Sequence, residues 1–309
     1  MADEVDESEA KSIGRRRFIK SLFGLRAVAE STKAEAAPVH HNVSIFWSNL
    51  RNGQIGFPTG TTIPSGQPGS LMKLVTAAAL HEAGLFSHDE TVECKGIVQI
   101  KKRTYRCLYP HGKVGLTKAI GLSCNVFFAE ASQKLSTTAI LDYASRFGLD
   151  KPVAGYGGYK FPTEPKDLTA EYALGLAPDF SVNALQLLRL VTLVGLGGTA
   201  PAFHNPGETE HPDKPFMLDL QPSTWMILQQ GMRIAEREGT ARKLDPQDKL
   251  HVAAKTGTAP HGKTFQSWIA GYWPHEQPRY AFCLRSPSGT SQDTAVPAAH
   301  KFLFSCEWP

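Results

Sequence analysis

Three short groups of residues in this 309-residue chain have the types and spacing to do chemistry: Ser70-Leu71-Met72-Lys73, Ser123-Cys124-Asn125 and Lys255-Thr256-Gly257-Thr258. A serine hydroxyl is a poor nucleophile until a base takes its proton, and a partly buried lysine with a lowered pKa is such a base. On a helix, three-residue spacing puts Ser70 and Lys73 on one face. A hydroxyl on the first turn also lies near unpaired N–H groups and the positive end of the helix, which favour the oxyanion of acyl transfer. In a tight loop Ser123 and Asn125 both point into a cleft, the hydroxyl to relay a proton and the amide to hold a carbonyl. The same residues also read as the N-cap of a helix over Val126-Phe127-Phe128. Lys255 and the two threonine hydroxyls suit a carboxylate, and Gly257 lets a ligand approach the backbone. Each group alone has an ordinary structural reading, but their joint order points to serine acyl transfer.

The elements that must position these groups are legible in outline. Pro68-Gly69 ends an extended stretch, and Ser70 to Leu85 reads as an apolar helix stopped near Gly84. Strands are expected at Val43–Trp47 and Gln54–Phe57, joined by a turn holding Asn52-Gly53. From Cys107 to Asp150 the pattern is mostly helical, with 119–122 and 125–134 flanking the second group. Tyr156 to Asp167 reads as a loop, and Leu185 to Leu196 as a buried helix ended by Gly197-Gly198. His204 to Pro215 is polar and proline-rich, so it reads as a surface excursion. Pro222 to Arg237 is helical. The last 60 residues suit three strands, around Val252, Ile269 and Phe282, and a closing helix from Ala295 to Phe304. The expected fold is therefore α/β (α+β): a five-stranded antiparallel sheet flanked by helices, with an inserted all-helical lobe and a cleft between the two. Residues 1–40 are read as an N-terminal tail and 41–309 as one domain.

From about Val43 to Leu303 the chain resembles the transpeptidase domain of class B penicillin-binding proteins, within the serine β-lactamase superfamily. The likeness rests on the three groups and on further runs in the family's order. These are Leu74-Val75-Thr76-Ala77-Ala78-Ala79-Leu80, Glu82-Ala83-Gly84-Leu85, His111-Gly112, Val126-Phe127-Phe128, Arg146-Phe147-Gly148, Glu238-Gly239-Thr240-Ala241 and Ser267-Trp268. The resemblance implies that Ser70 is the acylated nucleophile, Lys73 its base, Ser123 a proton shuttle and Asn125 a contact to the substrate amide. Lys255, Thr256, Gly257 and Thr258 would bind the terminal carboxylate of a D-Ala-D-Ala stem peptide or of a β-lactam, with the N–H groups of Ser70 and Thr258 as the oxyanion hole. It implies peptidoglycan cross-linking, no cofactor for catalysis, and partners in cell-wall synthesis. Leu71-Met72 replaces the family's frequent Thr-Phe, and 173–187 lacks its Gly-Gln-Gly and Thr-Pro-Leu-Gln details. The chain also has no room ahead of the domain for the membrane helix and pedestal of a class B protein.

A net charge of +4 is too mild for a nucleic-acid footprint, and no run approaches the length of a transmembrane helix. Gly14-Arg15-Arg16-Arg17-Phe18-Ile19-Lys20 resembles a twin-arginine export signal, with Ala34-Glu35-Ala36 as a small-residue cleavage site. The expected location is the periplasm or cell envelope. The alternative is a basic cytosolic tail.

Cys94, Cys107, His111 and Cys124 form a tetrahedral zinc set by residue type, and elongation-type members of the family carry a zinc site in this stretch. A Cys94–Cys107 disulfide with Cys124 buried beside it is the alternative. Cys283 and Cys306 read as core residues or a second pair. Gly257 to Thr264 also fits the nucleotide-binding pattern G-x4-G-K-[ST], although an aromatic strand follows it where that motif needs a helix. Within the acyl-transfer class, β-lactamase and D,D-carboxypeptidase are the enzymatic alternatives. Glu164, in Thr163-Glu164-Pro165-Lys166-Asp167-Leu168, is a superficial candidate for a lactamase's deacylating base, and Thr169 stands where the accompanying Asn is expected. A penicillin-binding sensor or scaffold without turnover is the non-enzyme alternative.

Overall fold

The computed structural model describes residues 43–58, 61–86, 90–205, 214–305 and 308. The tail with Arg15–Arg17, the Ala34–Ala36 site and His40-His41 lies outside the described residues, as do Cys306 and most of the 204–215 excursion.

The first hairpin joins β1 (Ser44–Asn49) to β2 (Ile55–Gly56) through Asn52-Gly53, as the turn residues predict. A short strand, β3 (Ser65–Gly66), leads to a single 3₁₀ turn, Gly69–Leu71, that carries Ser70. Helix α1 (Met72–Glu82) follows, so the expected Ser70 helix begins two residues late and ends at Ala83-Gly84. The lobe inserted next is not all helical. It contains β4 (Val92–Cys94), β5 (Ile97–Ile100), β6 (Arg103–Arg106) and β7 (Gly112–Val114), with β4 pairing β7 and β5 pairing β6. These strands are short and polar on their exposed faces, which leaves too little alternation to be read from the sequence. Helices α2 (Leu116–Gly121), α3 (Asn125–Ala131), α4 (Thr137–Arg146) and α5 (Thr169–Leu174) complete the lobe.

After β8 (Val182–Asn183), which pairs with β3, comes α6 (Ala184–Gly195), a helix whose twelve residues are all buried. Asn183 and Gln186 form a reciprocal capping box at its start, which offsets the cost of burying that end. Each leucine or valine fully buried there contributes about 1.5–3 kcal/mol. The pair β9 (Thr199–Ala200) and β10 (Phe216–Met217) precedes α7 (Pro222–Arg237), which starts with proline at the position where its missing N–H costs nothing.

Strands β11 (Ala253–His261), β12 (Thr264–Trp273) and β13 (Tyr280–Ser286) join the first hairpin in one antiparallel sheet of order β11-β12-β13-β1-β2. Period-2 alternation divides its side chains between two cores. Ala253, Trp268, Ala270, Tyr272, Ala281 and Cys283 belong to the large core shared with the helical lobe. Val252, Ala254, Ile269, Phe282 and Leu284 face the closing helix α8 (Val296–Ser305). Burial on both faces explains why these strands read as near-continuous apolar runs. His261 pairs with Thr264 across a two-residue turn at Gly262-Lys263, so the nucleotide-binding pattern falls on a hairpin and lacks its helix. Among the described residues no helix is long and apolar enough to cross a membrane.

The sheet meets the helical lobe where the backbone before Ser70 lies against β11. A side-chain carbon at Gly257 would stand 2.5 Å from the Pro68 carbonyl oxygen, and one at Gly69 would stand 2.6 Å from the Thr258 carbonyl oxygen. Gly69 also takes φ +54°, a conformation that suits glycine. The space at Gly257 is thus taken by the chain's own Pro68 carbonyl, where the sequence reading gave it to a ligand. Gly257→Ala is expected to cost about 1–3 kcal/mol by overpacking this junction. The urea midpoint should fall with an unchanged m-value; an unmoved midpoint would mean that the Pro68 segment yields freely.

Candidate active site

Ser70 is half-buried on its 3₁₀ turn, and the turn is held from both sides. Gly69 N–H donates to the Gly175 carbonyl at 3.0 Å. Gln67 donates from Nε2 to the carbonyls of Leu176 and Ala177, and its own carbonyl accepts from Trp268 Nε1 at 3.0 Å. The segment that carries the hydroxyl is therefore pinned to the end of α5 and to β12. Neither Gln67 nor Gly175 belongs to a recognisable motif.

Lys73, one helical turn on, is wholly buried. Its Nζ donates to the Ser123 carbonyl at 2.7 Å, to Ser123 Oγ at 3.2 Å and to Asn125 Oδ1 at 2.6 Å. Lys255, on β11, is also wholly buried, and its Nζ donates to the same Ser123 Oγ at 3.0 Å and to the Thr256 carbonyl at 3.0 Å. One hydroxyl oxygen thus lies between two amines, with no carboxylate paired to either among the described residues. Burial disfavours the charged form of both. Lys73 is lowered to about 8 mainly by desolvation, against the opposing effect of Cys107 and Cys124. Lys255 is held well below the ordinary lysine range by desolvation and then by the charge of Lys73.

Ser123 occupies the tight turn between α2 and α3 with φ +53°, a strained conformation for a non-glycine residue. It is not the helix cap. That role falls to Cys124, whose Sγ accepts from Phe127 N–H at 3.3 Å. The strained turn frees the Ser123 hydroxyl to face both lysines. Asn125 is fixed at both ends of its amide: Oδ1 accepts from Lys73, and Nδ2 donates to the Arg106 carbonyl at 2.7 Å. One N–H of that amide is left for another acceptor.

β11 is an edge strand, and alternation puts Lys255 and Gly257 towards the helical lobe with Thr256 and Thr258 on the opposite face. The Thr256 hydroxyl pairs with Thr240 Oγ1 at 2.6 Å. Thr258 Oγ1 accepts from Ser291 N–H and donates to Ser291 Oγ, both at 3.2 Å. Thr240 and Ser291 therefore belong to this site. Thr240 lies in a run typical of the resembled family, whereas Ser291 carries no sequence signal.

The other predicted group also assembles. Cys94 Sγ lies 3.7 Å from Cys107 Sγ and 3.4 Å from His111 Nδ1, and Cys107 Sγ lies 3.7 Å from Cys124 Sγ. All four donor atoms fall within 4.8 Å of one another. Thiolates about 2.3 Å from a tetrahedral zinc ion stand about 3.7 Å apart, so the spacing fits that metal. The chemistry fits as well. N–H groups of Asn125 and Val126 point at Cys107 Sγ at 3.2 and 3.5 Å, which favours a thiolate there. The sulfurs of Cys94 and Cys107 are not bonded to each other. Cys283 is buried in the large core, and burial pushes its thiol up. Glu164 is exposed on the 156–167 loop.

Residues 28–303 match the sequence family described as penicillin binding protein transpeptidase domain. The chain belongs to that family. It is 24% identical over 281 residues to penicillin-binding protein PbpB of Mycolicibacterium smegmatis, covering 76% of this chain and 42% of that one. It is 27% identical over 185 residues to penicillin-binding protein H of Bacillus subtilis, covering 49% of this chain and 25% of that one. The chain thus spans less than half the length of these relatives. Among solved structures, PBP2 of Pseudomonas aeruginosa in complex with WCK 5153 matches with a TM-score of 0.74 and 20% identity, over 85% of this chain and 70% of that one. PBP2 of Helicobacter pylori, in complex with MreC, matches with a TM-score of 0.74 and 18% identity, over 85% of this chain and 60% of that one. These likenesses establish the five-stranded sheet flanked by helices as the fold of a transpeptidase domain.

Proposed function

We propose that this transpeptidase domain is a serine-type D,D-transpeptidase that cross-links peptidoglycan through an acyl-enzyme on Ser70. The observation that carries the reading is the convergence of three distant motifs on Ser123 Oγ, 3.2 Å from Lys73 Nζ and 3.0 Å from Lys255 Nζ. Ser70 Oγ attacks the carbonyl carbon between the two D-alanines and gives its proton to the neutral amine of Lys73. The C–N bond to the terminal D-alanine then breaks, and Ser123 passes a proton to the departing amine. A second stem peptide's amine, or water in a D,D-carboxypeptidase, resolves the ester. Lys255, Thr256 and Thr258 hold the substrate carboxylate, Asn125 contacts its amide, and the N–H groups of Ser70 and Thr258 face the oxyanion. Lys73 is engaged here with Ser123 and Asn125, so substrate binding has to draw its amine towards Ser70; catalytic hydrogen bonds commonly tighten only in the substrate complex.

A β-lactam acylates the same serine. A β-lactamase reading needs a desolvated carboxylate over the ester, and the exposure of Glu164 counts against it. The twin-arginine sequence makes export to the periplasm part of this proposal, and cell-wall synthesis proteins are the partners it implies. Cys94, Cys107, His111 and Cys124 hold one structural zinc ion. Four protein ligands would close the coordination shell, so an ion held there would brace the N-terminus of α3 beside the Ser123 turn and would leave no open position for chemistry.

Intact-mass measurement with a penicillin tests the reading directly. An adduct that persists for hours is expected, absent in Ser70→Ala and with its lifetime unchanged within about twofold in Glu164→Gln; a transient adduct, prolonged by Glu164→Gln, would establish the lactamase instead. With Lys73 at about 8, the acylation rate should climb about tenfold per unit between pH 6 and 7 and level off above 8. A flat profile would remove Lys73 as the base. Elemental analysis should find one zinc per chain, lost in Cys107→Ser together with roughly tenfold slower acylation; less than a tenth of an ion per chain would rule the metal out.

A further inference from the structure

At the far end of β11 from Thr258, a second cluster of donor atoms stands outside the candidate active site. His251 precedes the strand, and His275 and Glu276 follow Trp273 at the end of β12. The two segments are held in register, since Ala253 pairs with Tyr272 and His275 N–H donates to the His251 carbonyl at 2.7 Å. His251 Nδ1 lies 3.1 Å from Glu276 Oε1, and His275 Nε2 lies 3.0 Å from the same oxygen. The two rings are stacked with centroids 6.0 Å apart, and all three donor atoms fall within 4.8 Å of one another.

We propose that His251 Nδ1, His275 Nε2 and Glu276 Oε1 form a second, surface site for a divalent transition-metal ion of the zinc class, which ties the root of β11 to the end of β12. Two imidazoles and one carboxylate are a ligand set that zinc accepts with water in the remaining position. Donors about 2.0–2.2 Å from a tetrahedral ion stand about 3.3–3.5 Å apart, and the contacts to Glu276 already lie within a few tenths of an ångström of that. The two imidazole nitrogens lie within 4.8 Å of each other, on side chains that are partly exposed. The ion replaces the protons that the two rings share with Glu276. Arg233, whose charge acts on both histidines, is paired with Glu236 and Asp248, so its charge is offset. The set is harder than the thiolate group between the first two motifs, and only exposed water completes it. It therefore suits a weaker, exchangeable ion.

The test uses the untagged full chain, stripped with chelator and kept reduced, titrated with cobalt(II) as the spectroscopic stand-in and with zinc(II) by competition. Beside the equivalent taken by the cysteine and histidine group, the wild type is expected to bind one further equivalent that adds no thiolate charge-transfer absorption. His275→Ala and Glu276→Gln should each weaken that equivalent at least about tenfold, while Cys107→Ser retains it. The thermal midpoint should rise with zinc in Cys107→Ser and not in the doubly substituted chain that also carries His275→Ala. Comparison of wild type with His275→Ala alone suffices if Cys107→Ser does not fold, because the count of bound ions must drop by one. An identical count and affinity in wild type, His275→Ala and Glu276→Gln would overturn the proposal and leave the cluster as a hydrogen-bonded surface triad.

Discussion

The structure turns on one hydroxyl placed between two buried amines. Ser123 Oγ lies within hydrogen-bond reach of Lys73 and Lys255, both of them wholly out of water. Burying two amines without a carboxylate is costly, and the cost is lowest when the groups are neutral and hydrogen-bonded. That constraint sets the fold around it. The helical lobe must bring α1 and the α2–α3 turn together, and the sheet must bring β11 against them, or an amine is left buried without a partner.

Three devices meet this demand, and each gives up local stability for position. Ser123 accepts a left-handed backbone so that Cys124 caps α3 and the serine hydroxyl is free. Gly69 and Gly257 give up side chains so that the Ser70 turn and β11 lie backbone to backbone. The cysteine and histidine group links the β4–β7 and β5–β6 strands to the N-terminus of α3, since Asn125 N–H and Val126 N–H point at Cys107 Sγ. The result is a candidate site in which the Ser123 hydroxyl, the Asn125 amide and the Lys255 amine are held by the fold itself.

The sheet serves two purposes at once. Its faces feed separate cores, and β11 is its edge strand, with no further strand paired to it among the described residues. Lys255 and Gly257 use one face to reach the helical lobe, whereas Thr256 and Thr258 use the other to meet Thr240 and Ser291.

Local rules of the sequence set the frame and marked the three groups that the fold brings together. The three motifs, the Asn52-Gly53 hairpin, the buried helix at 184–195 and the Pro222 start of α7 were legible because each rests on local rules: spacing, turn residues, apolar period and a missing N–H. The family resemblance supplied the topology that joins them. Which groups face each other depends on packing between distant segments. It turned Lys73 towards Ser123 and Asn125, moved the cap of α3 from Ser123 to Cys124, filled the space at Gly257 with Pro68, and added Gln67, Thr240 and Ser291 to the site. It also placed four short strands in a lobe that reads as helical, and drew His251 onto Glu276. These are contacts between residues far apart in the chain, formed by packing and burial, and neither leaves a periodic or compositional trace in the sequence near the residues it joins.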